Sequence, residues 1–154
     1  MYTLVTISLN NMKLTTRGNY GVRAAYELAK NYGKGPVTVK SISDNQYISI
    51  RYLEQLMVRL RRSGLVQSVR GPGGGYVLSE DPARISVGEI IRILEGPITL
   101  SSCTEGATGH NCKRGNGCVS QMLWLKLGEK IEEVLNNISL YDLCQMMEQK
   151  QEVY

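Results

Sequence analysis

The chain has 154 residues, 42% apolar and 21% charged, which is the balance of a globular protein long enough to bury a core without staples. No run approaches the roughly 20 apolar residues of a membrane span, and the first eleven residues lack the basic start and cleavage site of a secretory signal, so a cytoplasmic protein is expected. The net charge of +4 is unevenly spread: residues 1–78 hold 11 Lys/Arg against three Asp/Glu, and residues 79–154 hold seven against 11. A basic first half is the electrostatic footprint of a nucleic-acid binder, although a solvated basic surface has the same composition.

Residues 1–11 mix β-branched and polar side chains and are set apart as an extension, because a new pattern begins at Met12. Over residues 17–32, Val22, Ala25, Leu28, Ala29 and Tyr32 recur at helical spacing, with Thr15 or Thr16 as the cap. Gly33 to Pro36 ends that helix. Thr38 is placed to cap a short helix from Val39 to about Gln46, with Ile42 facing inward and Tyr47 and Ile48 in the turn. Ser49 then caps a helix to about Ser63, whose apolar face is Ile50, Leu53, Leu56, Met57 and Leu60. Gly64 stands where a helix-terminating glycine belongs. A hairpin follows, with Leu65 to Arg70 and Tyr76 to Leu78 flanking the turn signal Gly71-Pro72-Gly73-Gly74-Gly75. Two helices joined by a short turn and followed by a hairpin describe a winged helix-turn-helix.

Beyond Asp81-Pro82, residues 87–94 read as a short amphipathic helix and residues 96–117 as a long glycine-bearing loop. Loops of that length in compact chains are usually functional or disordered. A long helix from Val119 to about Ile138 carries the inner stripe Val119, Leu123, Leu127, Ile131, Val134 and Ile138, and its length suggests a partner helix. Ser139 to Asp142 form a capping box before a short final helix. The fold class is therefore mainly α with a small β-hairpin wing. The organisation is a DNA-binding winged helix-turn-helix over 12–82, a linker helix and cysteine loop over 83–118, and a dimerisation helix with a tail helix over 119–147.

Ser49, Arg51, Tyr52, Glu54 and Gln55 fall on the outer face of the second helix of the pair. Arg reads guanine, Gln adenine, and Glu accepts from cytosine. Arg59, Arg61 and Arg62 suit phosphates, and also complement the helix dipole. Arg70 sits at the wing tip, where Gly73 and Gly74 let the backbone approach a sugar–phosphate wall and the arginine enter a narrow minor groove. Glu54 faces a polyanion and would sharpen specificity, or simply pair with Arg51 or Arg61.

The four cysteines divide into three and one. Cys103, Cys112 and Cys118 lie in the glycine-bearing loop, whose bends let three thiolates converge on one metal or cluster. The spacing matches neither common ferredoxin run, and His110, the only histidine, keeps a Cys3His zinc site open. Cys144, among Leu143, Met146 and Met147, reads as packing.

The strings Met12-Lys-Leu-Thr-Thr-Arg-Gly-Asn-Tyr, Tyr52-Leu-Glu-Gln-Leu and Gly64-Leu-Val resemble the IscR-like transcription regulators, a bacterial winged-helix family, as above all does Val69-Arg-Gly-Pro-Gly-Gly-Gly-Tyr. Ile85-Ser-Val-Gly-Glu-Ile, the three cysteines, Leu123-Trp124 and Asn136-Asn-Ile-Ser-Leu match as well. The resemblance implies a homodimer on a palindromic promoter site of double-stranded DNA and an iron–sulfur cluster on Cys103, Cys112 and Cys118. It also implies control of cluster-assembly genes. It matches Ser49, Arg51, Glu54 and Gln55 to the reading helix and Arg70 to the wing arginine. Two departures bear on the cluster: the first cysteine gap is longer than the family's usual five, and Gln121 stands where the assembly regulators carry a ligand histidine. His110 or a group near Asn19 of the other subunit then competes for the fourth position, and 2Fe–2S is favoured over 4Fe–4S. A structural zinc site, or control by a partner enzyme with incidental cysteines, is the alternative. Catalysis is least expected, since one histidine and no recognisable triad or paired carboxylates are present.

Overall fold

A computed structural model describes residues 15–101 and 118–151. The extension at 1–11, the Met12 start, Cys103, His110 and Cys112 lie outside those residues. Helix α1 (Thr16–Lys30) buries Ala24, Ala25, Leu28 and Ala29, so the expected stripe is real, but Tyr32 falls beyond its end and is exposed. Helix α2 (Val39–Gln46) starts where Thr38 Oγ1 accepts the Ser41 amide at 3.0 Å, and it buries Ile42. Helix α3 (Ile50–Arg62) starts at Ser49, whose Oγ accepts the Tyr52 amide at 3.4 Å. Each of these hydroxyls satisfies an amide that the first turn leaves without an intrahelical partner.

Leu53, Leu56, Met57 and Leu60 press α3 into the core, whereas Ile50, expected on that face, is exposed. Truncating a leucine such as Leu53 to alanine would cost about 2–5 kcal/mol in lost transfer energy and cavity. The end of α3 is a Schellman motif. The Leu65 amide donates to Leu60 O at 3.1 Å and the Gly64 amide to Arg61 O at 3.0 Å, with Gly64 at φ 85°. A side chain at Gly64 would be strained in that left-handed conformation.

Strands β1 (Val66–Val69) and β2 (Gly75–Leu78) pair antiparallel, Val66 opposite Leu78 and Val69 opposite Gly75. Val37 bridges Tyr76 through two backbone bonds of 2.8 and 2.9 Å, which fastens the wing to the segment that leads into α2. A single 3-10 turn (Pro82–Arg84) leads to helix α4 (Val87–Glu95). Ser86 Oγ accepts the Glu89 amide at 3.1 Å there, a cap that the sequence reading did not pick out.

Helix α5 (Val119–Asn136) is the long helix, and α6 (Leu140–Gln151) is longer than the short tail expected to end near 147. The junction between them is stitched to the start of α4: the Val87 amide donates to Ile138 O at 2.8 Å and the Leu140 amide to Ile85 O at 2.9 Å. Gly88 lets α4 lie against Asn136, since a methyl group on it would run into the Asn136 side chain. Arg92 Nη1 also donates to Asn136 Oδ1 at 2.8 Å. The core formed by α1, α3, α4 and the hairpin extends to Leu140. No helix among the described residues is long and apolar enough to cross a membrane.

Candidate nucleic-acid interface and cysteine segment

Helical geometry puts Arg51, Gln55, Arg59 and Arg62 on one line, three and four residues apart, opposite the buried leucines. All four are exposed, as are Ser49 and Glu54. Glu54 takes part in none of the ion pairs among the described residues, so the alternative of a pairing with Arg51 or Arg61 is not formed. Tyr52 departs from the expectation of an outward residue. It is half-buried, packed against the core, and its ring meets Tyr20 edge to face at 5.6 Å. The edge-to-face geometry sets a positive ring edge against a negative ring face, so Tyr52 ties α3 to α1.

The wing carries exposed Arg70 just past β1. Gly74 closes the turn through its amide to Gly71 O at 3.0 Å, and a side chain on it would strike the Val69 carbonyl. That backbone crowding accounts for a glycine at 74 without DNA. Gly73 is exposed and has open space around it.

Between α1 and the end of α2 lies a polar cluster that sequence reasoning missed. Glu27 is 1% exposed, on the inner face of α1. Its carboxylate accepts Gln46 Nε2 at 2.6 Å and Asn45 Nδ2 at 3.0 Å, both from the end of α2, and it pairs with Lys30 at 3.4 Å. Arg23 donates to Gln46 Oε1 at 3.0 Å and also to the Gln46 carbonyl, while its guanidinium lies over the Tyr20 ring at 5.2 Å. A buried carboxylate is costly unless paired and hydrogen-bonded, and here it is both. The cluster fixes where α2 ends and hence where α3 begins. Its signal in the sequence was a charged residue one turn beyond Ala24, on a stripe of small apolar side chains.

Of the three loop cysteines, Cys118 is described: it is the half-buried N-cap residue of α5. The positive end of the helix dipole favours an anionic donor there. No metal-holding group of three His, Cys, Asp or Glu occurs among the described residues, which exclude Cys103 and Cys112. Upstream of the same segment, Glu95 ends α4 and its Oε1 accepts the Gly18 amide at 2.7 Å and the Thr15 hydroxyl at 2.5 Å. Thr15 therefore makes no side-chain cap bond of its own, and Glu95 takes that place across the fold. Gln121 is half-buried in the first turn of α5, and Asn19 is exposed on the first turn of α1. Cys144 is half-buried rather than fully enclosed; burial, with Glu148 adding to it, pushes its thiol above the ordinary value of 9.0, which fits a packed neutral thiol.

The exposed side of α5 is apolar over its first two turns, and Lys126, Lys130 and Glu133 join it further along. Val119 is 81% exposed, and Met122, Leu123 and Val134 stand on the same side of the helix. The stripe expected to face inward does not do so as a whole: Val119, Leu123 and Val134 are exposed, Leu127, Ile131 and Ile138 are half-buried, and Gly128 is the buried residue of this helix.

The chain is similar to known regulators of transcription. The chain is 44% identical over 137 residues to the HTH-type transcriptional regulator IscR of Klebsiella pneumoniae (strain 342), covering 89% of this chain and 82% of that protein. It is 46% identical over 132 residues to IscR of Yersinia pestis, covering 86% and 79%. Among solved structures, T. potens IscR superposes with a TM-score of 0.75 at 42% identity over 91% of both chains. The global cysteine regulator CymR of B. subtilis superposes with a TM-score of 0.76 at 39% identity over 88% of this chain and 98% of that one. The Rrf2 family of iron-dependent transcriptional regulators matches residues 14–146. The chain thus belongs to the Rrf2 family and is a DNA-binding transcription regulator of the helix-turn-helix type.

Proposed function

We propose that this regulator senses iron–sulfur status, works as a homodimer on a palindromic duplex site, and controls genes of cluster biogenesis. The observation that carries the reading is the pair of anchors flanking the cysteine segment. Glu95 ties its upstream end to the first turn of α1, and Cys118 heads α5 at its downstream end. Cys103, Cys112 and Cys118 would hold the group, and a soft thiolate set suits iron–sulfur clusters and zinc alike. The family's dependence on iron favours the cluster. With three thiolates in the chain's segment, 2Fe–2S is the expected type, and His110 or a group near Asn19 of a second copy would complete it. When bound, a cluster supplies ligation that is sensitive to oxidants and to iron supply.

The chain's own residues do the reading. Arg51, Gln55 and Glu54 address base edges, Arg59 a phosphate, and Arg70 the adjacent minor groove, with Ser49 capping α3. The exposed Val119, Met122 and Leu123 at the start of α5 support pairing with a second copy, which would set two α3 helices about one turn of duplex apart.

Absorption and Mössbauer spectra of anaerobically purified protein, paired with DNA titrations of wild type and Cys118→Ala, test this reading. A 2Fe–2S signature that is lost in the variant, together with altered affinity or site preference, is the expected result. A colourless zinc protein, or identical titrations, would reject it.

A further inference from the structure

Tyr47, between α2 and α3, is the one non-glycine residue with positive φ among the described residues, at φ 53° and ψ 43°. The left-handed region crowds Cβ against the following carbonyl, and a bulky aromatic is a rare occupant. Packing gives no compensation, because the residue is 91% exposed. The backbone around it is held from both sides. Arg23 donates to the Gln46 carbonyl, Ser43 Oγ donates to Ile48 O at 2.6 Å, and Ile48 is buried. Its neighbours therefore impose the conformation, and glycine or asparagine would adopt it with less strain. A strained position that carries an exposed aromatic ring directs attention outward, to what the ring meets in a complex.

Ile48, Ser49 and Ile50 separate Tyr47 from Arg51, so it stands at the shoulder of α3 rather than on its reading line. When the first turns of a helix enter the major groove, a residue at that shoulder comes up to the sugar–phosphate wall. The nearby acid, Asp44, is engaged by Lys40 at 2.9 Å, so its charge does not stand unpaired in the way of a phosphate. The phenol offers an O–H donor and an apolar face, which suit a phosphate oxygen and the adjoining deoxyribose.

We propose that Tyr47 is a DNA-backbone contact whose hydroxyl donates to a phosphate flanking the groove entered by α3. The proposal rests on α3 being the reading helix. The test compares full-length wild type, Tyr47→Gly, Tyr47→Phe and Arg51→Ala. Each is titrated by fluorescence anisotropy against a labelled duplex enriched from a random pool by the wild type, and against a scrambled duplex. Tyr47→Gly relieves the backbone and raises Tm by about 2–4 °C, yet weakens binding to both duplexes about fivefold. Tyr47→Phe keeps the strain and the wild-type Tm but loses a similar factor in affinity. The salt dependence stays that of wild type, because a neutral hydroxyl releases no counterion.

Wild-type affinity in both tyrosine variants, against an Arg51→Ala control that binds worse, overturns the Tyr47 contact alone. A loss confined to the enriched duplex also overturns it, since that marks base readout. If the wild type prefers neither duplex and Arg51→Ala changes nothing, the reading of α3 falls and this contact with it.

Discussion

The carboxylate of Glu95 accepts the amide N–H of Gly18 at 2.7 Å, so the last residue of α4 caps the first helix of the reading head. The same oxygen takes the Thr15 hydroxyl, and Arg17 donates to Leu94 O at 3.2 Å. An acidic group on first-turn amides that lack an intrahelical partner contributes about 1–2 kcal/mol through hydrogen bonding and the helix dipole. Glu95→Ala should lower the urea-derived stability by that amount. The residue also stands where the cysteine-bearing segment begins, so the difference in DNA affinity between as-isolated and chelator-treated protein should shrink in the variant. A full-sized difference in Glu95→Ala would show that this contact is a brace and nothing more.

Glu27 makes a second prediction about the reading head. Glu27→Ala leaves the Gln46 and Asn45 amides without their acceptor and the Arg23–Gln46 contact with one neighbour fewer. The expected loss is about 2–3 kcal/mol in denaturant unfolding. Glutamine has a single acceptor oxygen, so Glu27→Gln keeps one of the two amide bonds and should fall between wild type and alanine. Hydrogen exchange should accelerate at the end of α2 in both variants, and DNA binding should weaken with it, because α3 begins three residues after Tyr47. Unaltered exchange in α2 would place the role of Glu27 elsewhere.

These two carboxylates also mark the limit of what periodicity makes legible. The caps at Thr38 and Ser49, the glycine at 64, the hairpin and the capping box at Ser139 could all be read ahead of the fold, because each is a local rule joining residues within a few positions. Glu27 and Glu95 join positions 19 and 77 apart in the chain, and no window on the sequence brings their partners together. Tyr52 shows the same limit from the other side: its spacing put it on the outer face, and an aromatic partner on α1 drew it inward. Tyr47 was legible as a turn residue, but nothing in its identity announced a left-handed backbone, where glycine or asparagine is the usual occupant.

The apolar side of α5 carries a prediction about assembly. Val119, Met122 and Leu123 form an exposed apolar patch at the start of α5, with exposed Val134 further along beyond Lys126 and Lys130, and such a patch on a long helix marks an interaction surface. Two such helices packed together would bury it, as in paired bundles. The proposed homodimer should sediment as a monomer once Leu123→Glu and Val134→Glu are combined, while the circular dichroism of the winged domain stays intact. Binding to a two-half-site duplex should fall by at least tenfold, about 1.4 kcal/mol, as the second head is lost. A dimer that survives both charges would assign the pairing to another surface.

The capping box that starts α6 gives a prediction in pH. Asp142 Oδ2 accepts the Ser139 amide at 2.8 Å and the Ser139 hydroxyl at 2.7 Å, while Ser139 Oγ accepts the Asp142 amide at 3.1 Å. Those bonds, the backbone one first, hold the Asp142 carboxyl below its ordinary value of 3.8. A carboxylate whose folded value is depressed contributes stability that is fully present above the unfolded value and is lost as pH falls through the folded one. The wild type should therefore melt above Asp142→Asn from neutral pH down to about pH 4, and the gap should close as pH drops below 3.8. The adjoining contacts sharpen the test. Leu140 is fully buried and its amide is bonded to Ile85, so fraying at Ser139 loosens the seam between α4 and the tail. Asp142→Asn should speed hydrogen exchange at Leu140 and Leu143 before it disturbs α3. A gap in Tm that stayed constant through pH 3 would mean that the ionised carboxylate contributes nothing to the cap.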